Sequence, residues 1–379
     1  MSEWKKVKLG EVCEISAGGD RPQIFSNHRT DKCRIPIYSN GIDNEGLYGF
    51  TDTPKNNGNA ITITGRGANA GTVFYRKDPF LSIIRLLTLT PNSEIINAKY
   101  LFYLLKNKTF LSTGSAQPQI TVPNISQFEI EFNPDIETQH RIASILSRYD
   151  SLIENYQKQI KLLEEAARRL YKEWFIDLRF PGHENTKIVD GLPEGWERKS
   201  VGEIGEYLNG FAFKPSDWQE LGKPIIKIKE MGNGVTNDTP RNNGERVPAK
   251  YLIKAGDLLF SWSATLMVII WSGEDGWLNQ HLFKVTPAKG INREFLLQSI
   301  SNTIVEFQNL TTGSTMKHIQ RNKLDQVFVN VPNAEIMKRY TDISEKTRSN
   351  ILSLQSQLRL LTEARDRLLP KLMSGEITV

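Results

Sequence analysis

The sequence predicts an α+β protein laid out as a pseudo-twofold tandem repeat. Two globular α/β blocks are separated by an antiparallel two-helix coiled coil. Three observations predict it. The stretch from Glu137 to Asp177 reads as one long helix, because apolar residues fall at Ile142, Ile145, Tyr149, Leu152, Tyr156, Ile160, Leu163, Ala167, Leu170 and Trp174 in steps of three and four. The stretch from Glu335 to Met373 repeats that stripe with Tyr340, Ile343, Ile351, Leu354, Leu358, Leu361 and Leu368. The letters also recur: Leu162-Leu163-Glu164-Glu165-Ala166 answers Leu360-Leu361-Thr362-Glu363-Ala364. At 1.5 Å per residue, a helix of about 40 residues is a rod of about 60 Å, and a rod that long needs a partner for its apolar seam. Two alike halves pack around a pseudo-twofold axis, which makes the two helices antiparallel. The expected seam is Ile142, Tyr149, Tyr156, Leu163 and Leu170 against Ile343, Leu354, Leu361 and Leu368. Pro370 is expected to bend or end the second helix.

The boundaries follow. Residues 1–135 form the first block, 136–178 the first helix, 179–333 a linker and the second block, and 334–379 the second helix. Trp4 with Leu9-Gly10-Glu11-Val12 opens the first block, and Trp196 with Val201-Gly202-Glu203-Ile204 opens the second at the same spacing. Strands are expected at Ala60–Thr64, Thr72–Tyr75 and Ile83–Thr90, then at Ile225–Lys229, Leu258–Trp262 and His281–Thr286, with Gly-rich turns between them. A short amphipathic helix follows in each block, near Ala98–Leu105 and Arg293–Ser301. Thr113-Gly114-Ser115 is echoed by Thr312-Gly313-Ser314. Pro and Gly at both ends of 181–195 mark a linker, long enough to let the second block swing away from the first.

Composition sets bounds. Of 379 residues, 39% are hydrophobic and 24% charged, so packed cores are feasible. The start carries no signal peptide and the most apolar run is too short to span a bilayer, so no membrane is expected. Two cysteines do not make a disulfide framework and fit a reduced, cytoplasmic setting. The net charge of +5 permits nucleic-acid binding without arguing for it. Residues 65–71 lack the spacing of a cofactor loop and lead into a β run, the carboxylates form no nuclease-like cluster, and the histidines and cysteines show no metal-ligand spacing. No catalytic residue, metal or cofactor of the chain's own is expected.

Several motifs carry a resemblance. Gly191-Leu192-Pro193-Glu194-Gly195-Trp196, the helix start Pro134-Asp135-Ile136-Glu137-Thr138-Gln139-His140-Arg141-Ile142, the strand Gly256-Asp257-Leu258-Leu259-Phe260-Ser261, and the closing Arg367-Leu368-Leu369-Pro370-Lys371-Leu372 stand in order on the tandem plan. Over essentially its whole length the chain resembles the specificity (S) subunit family of type I restriction-modification enzymes. The resemblance implies a non-catalytic subunit whose two target-recognition domains each read half of a bipartite site in double-stranded DNA. It implies helices that set the spacing and dock two adenine-methyltransferase (M) subunits, with restriction/translocase (R) subunits joining for cleavage. S-adenosylmethionine, ATP and Mg²⁺ would belong to those partners. Two departures stand out: Met337 replaces the Gln139 of the first helix start, so that cap should differ, and Ile61-Thr62-Ile63-Thr64 replaces the Phe-Ser strand, so the two blocks should read different bases. A two-headed scaffold that binds proteins is the alternative from another class.

Readers of base edges need forked or amide side chains, while Lys, Ser and Thr hold phosphates. The Gly-rich loops of the first block offer Arg21, Ser39, Asn40, Arg66, Asn69, Ser115, Gln117 and Gln119. Those of the second offer Lys227, Lys229, Asn233, Ser261, Ser263, Asn279, Gln280, Thr312, Ser314 and Lys317. The aromatic residues Trp174, Phe175 and Phe180 at the end of the first helix are the expected partner-docking points.

Overall fold

A computed structural model describes residues 4–106, 108–110, 119–310 and 321–379. The chain divides into two compact units: unit one is Met1–Leu152 with Leu361–Val379, and unit two is Ile153–Leu360.

Unit one is built on an antiparallel four-stranded sheet in the order Cys13–Ala17, Leu87–Pro91, Ala60–Ile63, Val73–Arg76. A three-stranded sheet (Leu47–Thr51, Ile35–Tyr38, Leu81–Ser82) accompanies it, and the block is closed by pairing its first strand, Lys5–Lys8, with its last, Glu129–Phe132. Unit two repeats the plan. Its four-stranded sheet runs Gly205–Asn209, Leu282–Pro287, Leu258–Ser261, Met267–Ile270, a second sheet centres on Lys223–Ile226 and Gly276–Leu278, and Glu197–Ser200 pairs with Phe328–Val331. The apolar alternation that predicted these strands is spent on the cores: Ile61, Ile63, Leu87 and Leu89 in unit one, Leu258, Phe260, Phe283 and Val285 in unit two.

Each core is completed by a short helix. Ala98–Leu105 is capped by Asn97, whose side chain accepts the Tyr100 amide, and it buries Tyr100, Leu101, Leu104 and Leu105. Arg293–Asn309 is capped by Asn292, which accepts the amides of Glu294 and Phe295. This second helix is twice the predicted length. Two strands fall short of their expected extents. Residues 83–86 form a turn rather than the start of a strand, and Lys227 leads into a helical turn, Ile228–Asn233.

The first long helix spans Ile136–Tyr171 and ends in a π-helical turn, Lys172–Ile176; the second spans Ala334–Ser374. Within unit one, the start of the first meets the end of the second: Asp150 accepts from Arg365 at 2.9 Å, and Ile142 and Leu146 share a core with Leu369 and Leu372. Within unit two, the end of the first meets the start of the second, with the Trp174 and Tyr340 rings 6.0 Å apart. In both places the helices run antiparallel. The most buried stripe is Leu146, Ile153, Ile160, Ala167 and Trp174, at heptad spacing. The predicted positions Tyr149, Tyr156, Leu163 and Leu170 form the neighbouring half-buried stripe, as do Leu354, Leu361 and Leu368 on the other helix, while Ile142 is fully inside. Ile343 is a correction: it is 45% exposed, because the buried seam passes through its neighbour Ser344 and through Ile351. Pro370 is another. The helix continues to Ser374, since Leu369 and Leu372 pin its last turn in the core while the proline itself faces outward.

The segment after the first helix is not a loose tether. Phe180 stacks on Trp196 with ring centroids 4.9 Å apart, both inside the unit-two core, and Ile188–Val189 pairs with Leu192–Pro193 in a hairpin. The linker folds onto unit two, because its aromatic residues have a core to enter. Trp174, Phe175 and Phe180 are 6%, 1% and 3% exposed in that same core. The π turn brings Trp174 and its neighbour Phe175 to the same inner side. These rings are taken up by packing and offer no free docking face.

Candidate nucleic-acid interface

In each unit the strand ends converge on one edge of the four-stranded sheet. In unit one the turn 83–86 is the hub. Ile83 N–H donates to Tyr38 O (2.9 Å), Ile84 N–H to Gly19 O (2.8 Å), Arg85 N–H to Gly18 O (2.9 Å), and Gly18 N–H to Leu86 O (2.8 Å). Gly18 is required there: a Cβ would lie 2.7 Å from the Ile83 nitrogen. Asn40 ties in the third loop. Its Oδ1 accepts Gly65 N–H at 2.7 Å and its amide donates to Ile84 O. Gly65 O in turn accepts Ile120 N–H, and Arg66 bridges Gln119 across an isolated β-bridge. Thus Ser39, Asn40, Arg66, Asn69 and Gln119, from separate stretches of sequence, share one loop platform, and Arg21 follows two residues after Gly19. Arg66 and Asn69 are exposed on the turn 65–71, and Arg21 is exposed with its guanidinium 5.1 Å from the Phe25 ring. Asn40 is half-buried and acts as the brace of the platform.

Unit two repeats three of these four bonds, and in place of the fourth His281 N–H donates to Asn279 Oδ1 at 3.4 Å. Asn279 N–H donates to Ile226 O (3.1 Å), Gln280 N–H to Phe211 O (2.9 Å), and Gly210 N–H to Leu282 O (3.1 Å). A Cβ on Gly210 would sit 2.2 Å from the Asn279 oxygen, so Gly210 does the work of Gly18. By this wiring Ile83, Ile84, Arg85 and Leu86 correspond to Asn279, Gln280, His281 and Leu282. Ser261 corresponds to Thr64, and each hydroxyl closes its turn: Ser261 Oγ donates to Thr265 O at 2.7 Å, Thr64 Oγ1 to Asn69 O at 2.5 Å.

Three predicted contact residues of unit two are corrected by burial. Ser261 is 0% exposed, Ser263 3% and Asn279 4%; they are used up inside the turn, Ser263 Oγ lying 3.4 Å from His281 Nδ1. Their polar side chains are the means by which a tight buried turn satisfies its backbone. Lys227 is half-buried with its ammonium 4.5 Å over the Trp218 ring, Gln280 is half-buried beside His281, and Lys229 and Asn233 are exposed on the helical turn. Ser115, Gln117, Thr312, Ser314 and Lys317 lie outside the described residues.

Sequence reasoning missed Ile84, Arg85, Trp262 and His281. Trp262 donates to Asn209 Oδ1 at 3.2 Å and lies 5.8 Å from the His281 ring on the unit-two platform. For Arg85 a signal existed: one charge inside the apolar run Ile83–Leu89, which marks a break rather than a strand. Among the described residues, no group of three or more His, Cys, Asp and Glu side chains could hold a metal ion, and no helix is long and apolar enough to cross a membrane. Cys13 and Cys33 are buried thiols, and burial pushes the Cys13 pKa up to about 12.

Two domains of one build, each ending in a platform of braced loops that carry different side chains, define a duplicated recognition protein. The type I restriction modification DNA specificity domain matches the chain twice, over residues 1–165 and 193–358, and the chain belongs to that family. It is 26% identical over 346 residues to the type I restriction enzyme MjaIX specificity subunit of Methanocaldococcus jannaschii, covering 84% of this chain and 78% of that one. It is 24% identical to the HindI specificity subunit of Haemophilus influenzae, over the full length of both. The fold is that of the S subunit of a type I restriction-modification system from M. genitalium, with a TM-score of 0.66 at 17% identity, covering 98% of this chain and 96% of that one.

Proposed function

We propose that this chain is the DNA-specificity subunit of a type I restriction-modification assembly. Unit one reads one half of a split duplex target and unit two reads the other. The long helices set the number of base pairs between the halves and dock two adenine-methyltransferase (M) subunits, and restriction/translocase (R) subunits join that core. Catalysis belongs to those partners; this chain supplies address. The observation that carries the reading is the repetition of one loop platform, tied by three matching backbone hydrogen bonds, with Ile84-Arg85 in one copy and Gln280-His281 in the other. A duplicated support with changed side chains is what two different half-sites require, since supports position and side-chain edges specify.

The test is binding by the chain together with its methyltransferase partner. A bipartite footprint is expected, with affinity falling steeply as salt rises because phosphate contacts release counterions. A single continuous site, or binding indifferent to sequence, overturns the reading. Inserting one heptad into both long helices keeps the buried stripe in phase and is expected to lengthen the gap while leaving both half-sequences unchanged.

A further inference from the structure

We propose that Ile84 and Arg85 form the base-reading tip of unit one. Arg85 presents its guanidinium fork to a guanine in the major groove, and Ile84 presents its branched side chain to a neighbouring thymine methyl. This deepens the reading of the chain as a DNA-specificity subunit and rests on it.

Both residues are left-handed, with φ of +53° at Ile84 and +58° at Arg85. A β-branched residue in that region is an outlier, and two in succession without glycine are costly to hold. The platform holds them from three sides. Gly19 and Gly18 accept the two amides, and Asn40 donates to the Ile84 carbonyl. Burial does not explain the arrangement, because Ile84 is 50% exposed while its neighbours Ile83 and Leu86 are wholly buried. The strained pair therefore pushes one apolar and one cationic side chain outward from the centre of the loops. Arg85 is exposed, and no described residue pairs with its guanidinium. Arg66 and Gln119 stand on the adjoining strand end, supplying charge and an amide beside it. An exposed apolar side chain next to an exposed fork matches base edges better than phosphates: the fork fits guanine O6 and N7, and apolar contact fits a thymine methyl. In unit two the same wiring positions carry Gln280 and His281 without positive φ.

The experiment uses the full chain with its methyltransferase subunits and a duplex carrying the split motif footprinted by the wild type. Affinities are measured for every single-base variant of both halves at several salt concentrations. R85K keeps the charge and loses the fork. It is expected to erase discrimination at one guanine of one half by about 5- to 150-fold, with an unchanged salt slope and an unchanged other half. I84G removes the side chain and relieves the φ. It is expected to weaken binding at the adjoining base pair without lowering Tm, whereas a purely structural Ile84 would lower Tm. The proposal is overturned if R85K reads every base as the wild type does, or if R85A weakens all sequences equally and R85K fully restores them, which marks a phosphate contact. A wild-type complex without half-site preference would overturn the parent reading instead, and that arm is scored first.

Discussion

In unit one, the turn that follows strand Leu81–Ser82 goes left-handed and turns Ile84 and Arg85 outward; in unit two, the turn that follows Gly276–Leu278 buries Asn279 and sets His281 against Trp262 and Ser263, with Gln280 beside it. Three of the four backbone hydrogen bonds beneath are shared, and the fourth differs: Arg85 N–H donates to Gly18 O, whereas His281 N–H donates to the Asn279 side chain. The difference teaches that this fold separates support from reading. Glycines at 18 and 210 permit the close approach, hydroxyls at 64 and 261 close the hairpins, and what is left over is free to vary.

The supports themselves differ in strength, and that difference can be broken experimentally. The short helix of unit two is locked by a buried pair: Arg348 donates to Glu294 through Nε (2.8 Å) and Nη2 (3.1 Å), with Gln298 donating to the same carboxylate. Side-chain exposure is 9% for Arg348 and 3% for Glu294. Arg348→Ala leaves a buried carboxylate alone and is expected to cost about 3–5 kcal/mol in chemical denaturation. Replacing the pair by Met and Leu together should recover most of that loss. In unit one the counterpart is Tyr103 and Arg365 donating to Asp150, at 2.6 and 2.9 Å. Arg365 and Asp150 remain about twice as exposed as Arg348, so Arg365→Ala should cost less, about 1–2 kcal/mol.

The helix starts provide the next contrast. Gln139 is fully buried, its Oε1 accepting Asn97 N–H at 2.7 Å and its amide donating to Ile95 O and Asn133 O. At the matching place Met337 sits in the apolar core and Asn333 caps the helix by accepting Ile336 N–H. The expected difference between the two starts is therefore real. Gln139→Met strands three backbone groups and should cost about 2–4 kcal/mol, whereas Met337→Gln should cost about 1–3 kcal/mol by burying an unpaired amide; thermal melts of both variants sharpen the comparison.

Among the described residues Asn40 has no counterpart brace in unit two, where Lys227 leads directly into a helical turn. Asn40→Ala should cost about 1–3 kcal/mol and weaken reading of one half-site only, checked by half-site variant binding. The smallest effect is electrostatic. Burial raises the Glu164 pKa, with Arg348 pulling it down less strongly. A carboxyl whose folded pKa lies above its unfolded value binds protons more tightly when folded, so stability falls as pH rises from about 4.5 through the raised value. Glu164→Gln should remove that fall: a small gain at pH 7 that disappears by pH 4, read from denaturation curves at the two values.

Much was legible beforehand. The three-and-four stripes place both long helices, the repeated letters pair the two halves, and in unit one the named loops at Gly18, Asn40 and Gly65 are tied together by hydrogen bonds. What failed did so for local reasons. Trp174, Phe175 and Phe180 look like docking points because aromatic residues at a helix end carry no mark of which side they face; the first two lie in the π turn and Phe180 packs on Trp196, all in the unit-two core. Ser261, Ser263 and Asn279 have the chemistry of DNA contacts and also that of tight-turn closure, and only burial separates the two.

The sequence by itself determined the duplication, the helix stripes and the family, because periodicity and repeated motifs are one-dimensional signals. Tertiary structure alone decided which of two heptad stripes is buried, which polar loop residues are consumed by backbone, and that Ile84 and Arg85 point outward. The first is settled by which face packs into a core, the second by burial of the turn, and the third by hydrogen bonds between residues tens of positions apart, such as Asn40 to Ile84 and Gly65; no local pattern encodes these.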